Sequence, residues 1–255
     1  MGFTAPPPCC VTRRSSGWVR RGHSMAEADL AAIAPSGRLR AAINTGNRAL
    51  VQQNGASLEG ISPALARRLA DEIGARFEPV IYDGAGKVFA DAERGIWDVG
   101  FLAIDAVRAE RISFARPYHV IEATYAARAG SDIHDTKDAD RPGVTVLTST
   151  GSAYDMYLSA NLAHARLEHS GTPTESFAEF RDGRGDVVAG VRASLERYFK
   201  GDREVRILPG VLTKVEQTMV LPGPRNPRIS ALDRFVARAI EDGFVAAHLK
   251  GAGAG

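Results

Sequence analysis

From Leu39 to Ala103 the chain alternates short apolar runs with helical stripes, and this alternation limits the fold more than any other feature. Leu39–Ile43 predicts a first core strand. Gly60–Ile73 places apolar residues at 61, 65, 69 and 73, a helical repeat. Pro63 suits its first turn, and Gly74 stands where a helix C-terminus favours a left-handed residue. Phe77–Tyr82 predicts the next strand, Lys87–Glu93 a second helix, and Val99–Ala103 a third strand. Strand, helix and strand in this order predict a parallel α/β sheet that binds ligands at the C-terminal ends of its strands.

The same grammar returns further on. Val144–Leu147 predicts a strand, Thr148–Thr150 a turn, and Gly151-Ser152 the opening of a helix over Ala153–Leu162. Val205–Leu208 predicts another strand, and Ile229–Ala247 a closing helix with apolar residues at 229, 232, 236, 240 and 244. At 255 residues the chain suits one large domain or two lobes of about a hundred residues each.

Composition excludes several classes. Residues 1–24 hold Arg13, Arg14, Arg20 and Arg21 and no acid, so the net charge of +2 hides an acidic remainder with no nucleic-acid-binding character. No apolar run reaches the length of a membrane span. Cys9 and Cys10 are adjacent and define neither a disulfide framework nor a metal site. Phe3–Pro8 lacks the apolar stretch that a lipidated cysteine requires. No cofactor motif is present. The N-terminal segment has the arginines of a secretory signal without its apolar centre. Residues 1–24 are therefore expected to be disordered and outside the fold, with Met25 as the start or the segment as upstream sequence.

Asp98–Val120 carries the clearest chemistry. Asp105 suits an N-cap, which puts Arg108 in the first turn of a short helix, where the macrodipole disfavours a cation unless an anion lies between it and the free N–H groups. Arg108 is thus either an anion ligand or a solvated surface arginine. Ser152, at the tip of the second-half helix, offers a hydroxyl and free N–H groups suited to a carboxylate, or is an ordinary cap. Asn44 and Asn47 either hydrogen-bond a ligand or serve a turn. Lys87 either points into a cleft or caps its helix.

These residues also carry a family resemblance. Asp98-Val99, Ala103-Ile104-Asp105-Ala106-Val107-Arg108 and Phe114-Ala115-Arg116-Pro117-Tyr118 resemble the Asp-Val/Ile, Thr-x-Thr-x-x-Arg and Phe-x-x-Pro-Tyr pattern of the polar amino-acid class of bacterial extracellular solute-binding proteins, family 3 of the ABC-importer receptors. Ala103 and Asp105 replace the two threonines. Gly95-Ile96-Trp97-Asp98, Gly151-Ser152 with Tyr157-Leu158, and Gly183–Gly190 match further family positions. The resemblance spans about Arg38 to Lys250.

It implies a type II periplasmic-binding-protein fold, α/β with two lobes joined by two hinge crossings, at Ile121–Ala127 and Lys214–Val220. Lobe 1 would comprise residues 25–119 and 217–255, and lobe 2 residues 120–216. It further implies a monomeric periplasmic receptor that captures a small anionic, carboxylate-bearing solute and presents it to ABC transporter permease subunits. The implied ligand set is Arg108, Gly151 and Ser152, with Asn44, Asn47, Lys87, Phe101, Ala103, Val191 and Arg192 around them. Val191 stands where amino-acid receptors hold an acid for the ligand's ammonium, and a buried ammonium without such a partner is costly. Two other readings stay open: a lyase like cyclohexadienyl dehydratase, for which Glu122 and Glu216 lie near the crossings, and a cytoplasmic ligand-sensing module.

Overall fold

Asp98 and Asp186 each stand at the entry to an apolar strand and set that strand's register in the same way. Asp98 Oδ2 accepts from the Arg40 N–H at 2.8 Å while its own N–H donates to the Arg40 carbonyl. Asp186 Oδ2 accepts from Thr145 N–H at 2.7 Å, and its N–H donates to the Thr145 carbonyl. Two strand pairs, far apart in sequence, are thus locked at their starts by one device.

The computed structural model describes residues 1–2 and 29–251. The expectations for Cys9, Cys10 and the rest of residues 3–24 fall outside these residues. Residues 29–31 are helical.

The first half runs β1 (Arg38–Asn44), a small hairpin of β2 (Gln52–Asn54) and β3 (Ser57–Glu59), α1 (Ile61–Glu72), β4 (Arg76–Tyr82), α2 (Ala85–Ala90), β5 (Val99–Ala103), α3 (Ala106–Ala109) and β6 (Ile112–Phe114). A first crossing, β7 (His119–Arg128), leads through a 3-10 turn (Thr136–Ala139) to β8 (Thr145–Ser149), α4 (Ala153–Asn161), β9 (Arg166–Ser170), α5 (Pro173–Arg181), β10 (Val187–Val191), α6 (Arg192–Tyr198) and β11 (Val205–Ile207). The return crossing β12 (Thr213–Pro222) is followed by α7 (Ile229–Glu241) and α8 (Phe244–Gly251).

The main sheet has the order β4-β1-β5-β12-β7-β10-β8-β9. β4-β1-β5 and β10-β8-β9 are parallel sets, and the antiparallel pair β12 and β7 joins them. This is the two-lobed, twice-crossed architecture of the type II periplasmic-binding fold. β5 is buried along its whole length, as a strand covered on both faces must be. α1 buries Ile61, Leu65, Ala66, Leu69 and Ala70. Gly60 opens it at φ +102°, where an added Cβ would meet the Leu50 carbonyl oxygen at 2.4 Å.

Three expectations need correction. The closing helix is two helices, because Gly243 adopts φ +79° and Asp242 Oδ1 accepts the Phe244 N–H at 3.1 Å, ending one helix and starting the next. Its core face is Ala231, Leu232, Phe235, Val236 and Ala239, leaving Ile240 exposed. The helix expected at Lys87–Glu93 begins earlier, at Ala85 after the extended Gly84, and ends at Ala90.

Candidate ligand site

α3 is only four residues long, and Asp105 fixes it by accepting from the N–H groups of Val107 at 2.8 Å and Arg108 at 3.2 Å. The short helix buries the Arg108 side chain completely. One guanidinium nitrogen donates to the Ala103 carbonyl at the end of β5 (3.0 Å), and another to the Gly151 carbonyl of the opposite lobe (2.8 Å). Arg108 Nε is buried without a partner. Burial pushes the guanidinium down to about 10, opposed by the charge of Asp105, so it stays cationic at neutral pH. Among the described residues no carboxylate forms an ion pair with it, and an unpaired buried charge costs several kcal/mol.

Opposite stands the N-terminus of α4. Ser152 caps it by accepting the Asp155 N–H at 3.0 Å. Asp155 in turn accepts the Gly151 N–H at 2.8 Å and lies 3.1 Å from His169 Nε2. Burial raises the Asp155 carboxyl, and the Gly151 N–H and His169 work against that rise. The Ala153 and Tyr154 N–H groups have no intrahelical acceptor. Beside this tip the lobes touch glycine to glycine: a Cβ on Gly151 would meet Gly86 Cα at 2.7 Å, and one on Gly86 the Thr150 carbonyl at 2.7 Å.

A cavity of about 50 Å³ lies between the two halves, where β1, β5, β10 and the turn after β8 end. Arg108, Ser152, Asn44, Asn47, Phe101, Ala103 and Val191 line it together. The Asn44 side chain accepts the Gly46 N–H at 3.0 Å, while Asn47 Oδ1 is buried without a partner.

Three of the candidates lie elsewhere. Gly151 holds the lobes together through its carbonyl and does not line the cavity. Lys87 is exposed and donates to Asp83 at 2.8 Å. The Arg192 guanidinium is committed to the carbonyls of Leu208, Pro209 and Gly210, with Glu122 3.5 Å from its Nε. Neither Lys87 nor Arg192 reaches the cavity.

Sequence reasoning missed Tyr154, Ser194 and Gln217, which also line it. The Ser194 hydroxyl is buried without a hydrogen-bond partner, while the Tyr154 hydroxyl lies beside the Ser149 and Ser152 side chains. Gln217 had a signal: it ends the alternation of Lys214, Val215 and Glu216 on the buried side of β12, and faces Ala103 and His119 in register. Ser194 had none, because α6 begins without a side-chain cap.

The sequence model of the bacterial extracellular solute-binding proteins, family 3, matches residues 39–249. No curated sequence matches the chain. Among solved structures, the solute receptor for L-cysteine of Neisseria gonorrhoeae is 20% identical with a TM-score of 0.77, over 88% of this chain and 92% of that one. A mutant of ArgBP from T. maritima is 17% identical with a TM-score of 0.76, over 89% of this chain and 100% of that one. An ancestral amino-acid-binding protein, described as a precursor of cyclohexadienyl dehydratase, is 18% identical with a TM-score of 0.72, over 87% of this chain and 98% of that one. At these identities the structural likenesses speak for the fold.

Proposed function

We propose that this chain, which belongs to the bacterial extracellular solute-binding proteins of family 3, captures a small carboxylate-bearing solute between its lobes and presents the closed form to the permease subunits of an ABC importer. Members of the family are substrate-binding proteins of the kind that serve amino-acid ABC transporters, mainly non-enzymatic and typically periplasmic. The chain would act as a monomer, with lobe 1 formed by residues 25–119 and 217–255 and lobe 2 by residues 120–216.

One observation carries the reading: a fully buried guanidinium whose Nε has no partner, at a cavity that also meets a helix N-terminus. A carboxylate there would pair with Arg108 through charge-assisted bonds and take the N–H groups of Ala153 and Tyr154 from the other lobe. Because those contacts come from both sides, they exist only when the lobes are closed. That is the differential affinity which a ligand needs to shift the open–closed balance.

A lyase would need a general acid at the cavity. Glu122 and Glu216 do not line it, and no Asp or Glu is among its lining residues.

Calorimetric titration of small mono- and dicarboxylates, amino acids and their amides into the wild-type protein and Arg108→Lys tests the reading. Lysine keeps the charge and loses the planar fork, so affinity should fall at least tenfold while the variant still melts cooperatively. Unaltered affinity in Arg108→Lys and in Arg108→Ala would remove Arg108 from the site.

A further inference from the structure

We propose that the solute is a short 2-hydroxy or 2-oxo carboxylate and that the cavity selects it against the amino acid of the same shape. This rests on the reading of Arg108 as the carboxylate ligand and adds what sits beside the carboxylate.

Charge is the first ground. Arg108 is the one charged side chain among the residues that line the cavity. Three neighbouring acids are engaged elsewhere. Asp105 caps α3, Asp155 holds the Gly151 N–H beside His169, and Glu122 lies against Arg192. At the tip of β10 the lining residue is Val191, an isopropyl group. An ammonium brought here would lose its water, find no carboxylate, and share a small space with a guanidinium. Such a group pays a desolvation cost that neutral acceptors do not repay.

Hydrogen-bonding capacity is the second. Ser194 Oγ, on a residue 2% exposed, has no partner. A hydroxyl both donates and accepts, so Ser194 can meet a ligand hydroxyl or a keto oxygen. Asn47 Oδ1, also unpartnered, accepts from a hydroxyl. A carboxylate with a bare methylene next to it would leave these buried groups unsatisfied, which costs binding energy.

Size is the third. A cavity of about 50 Å³ favours a small acid over one with a long side chain. The division of labour follows from the fold. Lobe 1 supplies the guanidinium, and lobe 2, through Ser194, reads the neighbouring oxygen.

The test uses the full-length protein, unfolded and refolded to strip any co-purified solute, in titrations with L-lactate, pyruvate and glycolate against L-alanine, glycine and propionate. L-lactate and L-alanine differ only in hydroxyl against ammonium. We expect the 2-oxygenated acids to bind at least tenfold more tightly than both the amino acids and propionate. Ser194→Ala should weaken lactate about tenfold and leave propionate binding no weaker than in the wild type, a split that a structural role for Ser194 would not produce. Alanine or glycine binding as well as lactate would overturn this inference and leave the carboxylate reading standing. Equal losses for lactate and propionate in Ser194→Ala would also overturn the assignment of Ser194. Silence toward every acid, amino acids included, would overturn the carboxylate reading and this inference with it.

Discussion

Two glycines decide how closely the lobes approach. Gly86 lies inside α2, where alanine would favour the helix by about 1 kcal/mol, yet a methyl there would stand 2.7 Å from the Thr150 carbonyl and 3.2 Å from Gly151 Cα. The two effects act on different states. Gly86→Ala should leave the melting temperature of the ligand-free protein unchanged or raise it by about 2–4 °C. It should cost at least tenfold in affinity for any solute that requires closure, read by calorimetric titration. Undiminished affinity would show that closure does not need this glycine contact. At this scale the sequence located the caps well, since Asp105 and Ser152 each bond within three residues of themselves. It left the long cations open. Lys87 follows Asp83, an exposed partner one turn back, and Arg192 follows a trio of carbonyls 16–18 residues away that no local pattern reveals.

Among the elements, the start of β9 is held by a single side chain. Asp140 accepts the N–H groups of Ala163, His164 and Ala165, at 2.7–3.2 Å. Partial burial pushes its carboxyl up, but these three donors outweigh it and hold it below the ordinary value. A carboxyl with a depressed folded pKa stabilises the fold above its unfolded value, near 4, and loses that contribution as pH falls through the lower folded value. Asp140→Asn should therefore lower stability near neutral pH by about 1 kcal/mol, toward the low end for charge-assisted bonds because the group is partly solvated. The difference from wild type should shrink as melts are taken below pH 4. A deficit that persists at pH 3 would place the effect in packing rather than in the charge. Neither β9 nor the β2–β3 hairpin stood out in the sequence. β9 reads Arg-Leu-Glu-His-Ser with one apolar residue, because it is an edge strand with little to bury. β5 was plain for the opposite reason, being covered on both faces.

For the whole molecule, β7 and β12 matter most. β12 changes partner at Gln217, from β7 to β5, and β7 changes at Ala123, from β12 to β10. The hinge is thus continuous sheet rather than free linker, and one hydrophobic core runs along it from Leu30 through Ile121 and Val215 to Val245. The repeated strand–helix order was legible and the family resemblance implied two lobes, but the shared core was not legible, because it forms from residues more than two hundred positions apart. Such coupling predicts a single calorimetric unfolding transition, and two resolved peaks would show that the lobes unfold separately. A solute present at a hundred times its dissociation constant adds about 2.7 kcal/mol, which for a chain of this size raises the midpoint by about 5–10 °C. Salt separates this mechanism from a superficial one. A carboxylate sealed against Arg108 between closed lobes is shielded from mobile ions, whereas an exposed pair is screened within about 10 Å at 0.1 M salt. The ligand-induced shift, measured relative to the ligand-free protein in the same buffer, should therefore change little between 0.05 and 0.5 M sodium chloride. A shift that collapses across that range would move the carboxylate out of the cleft and onto the surface.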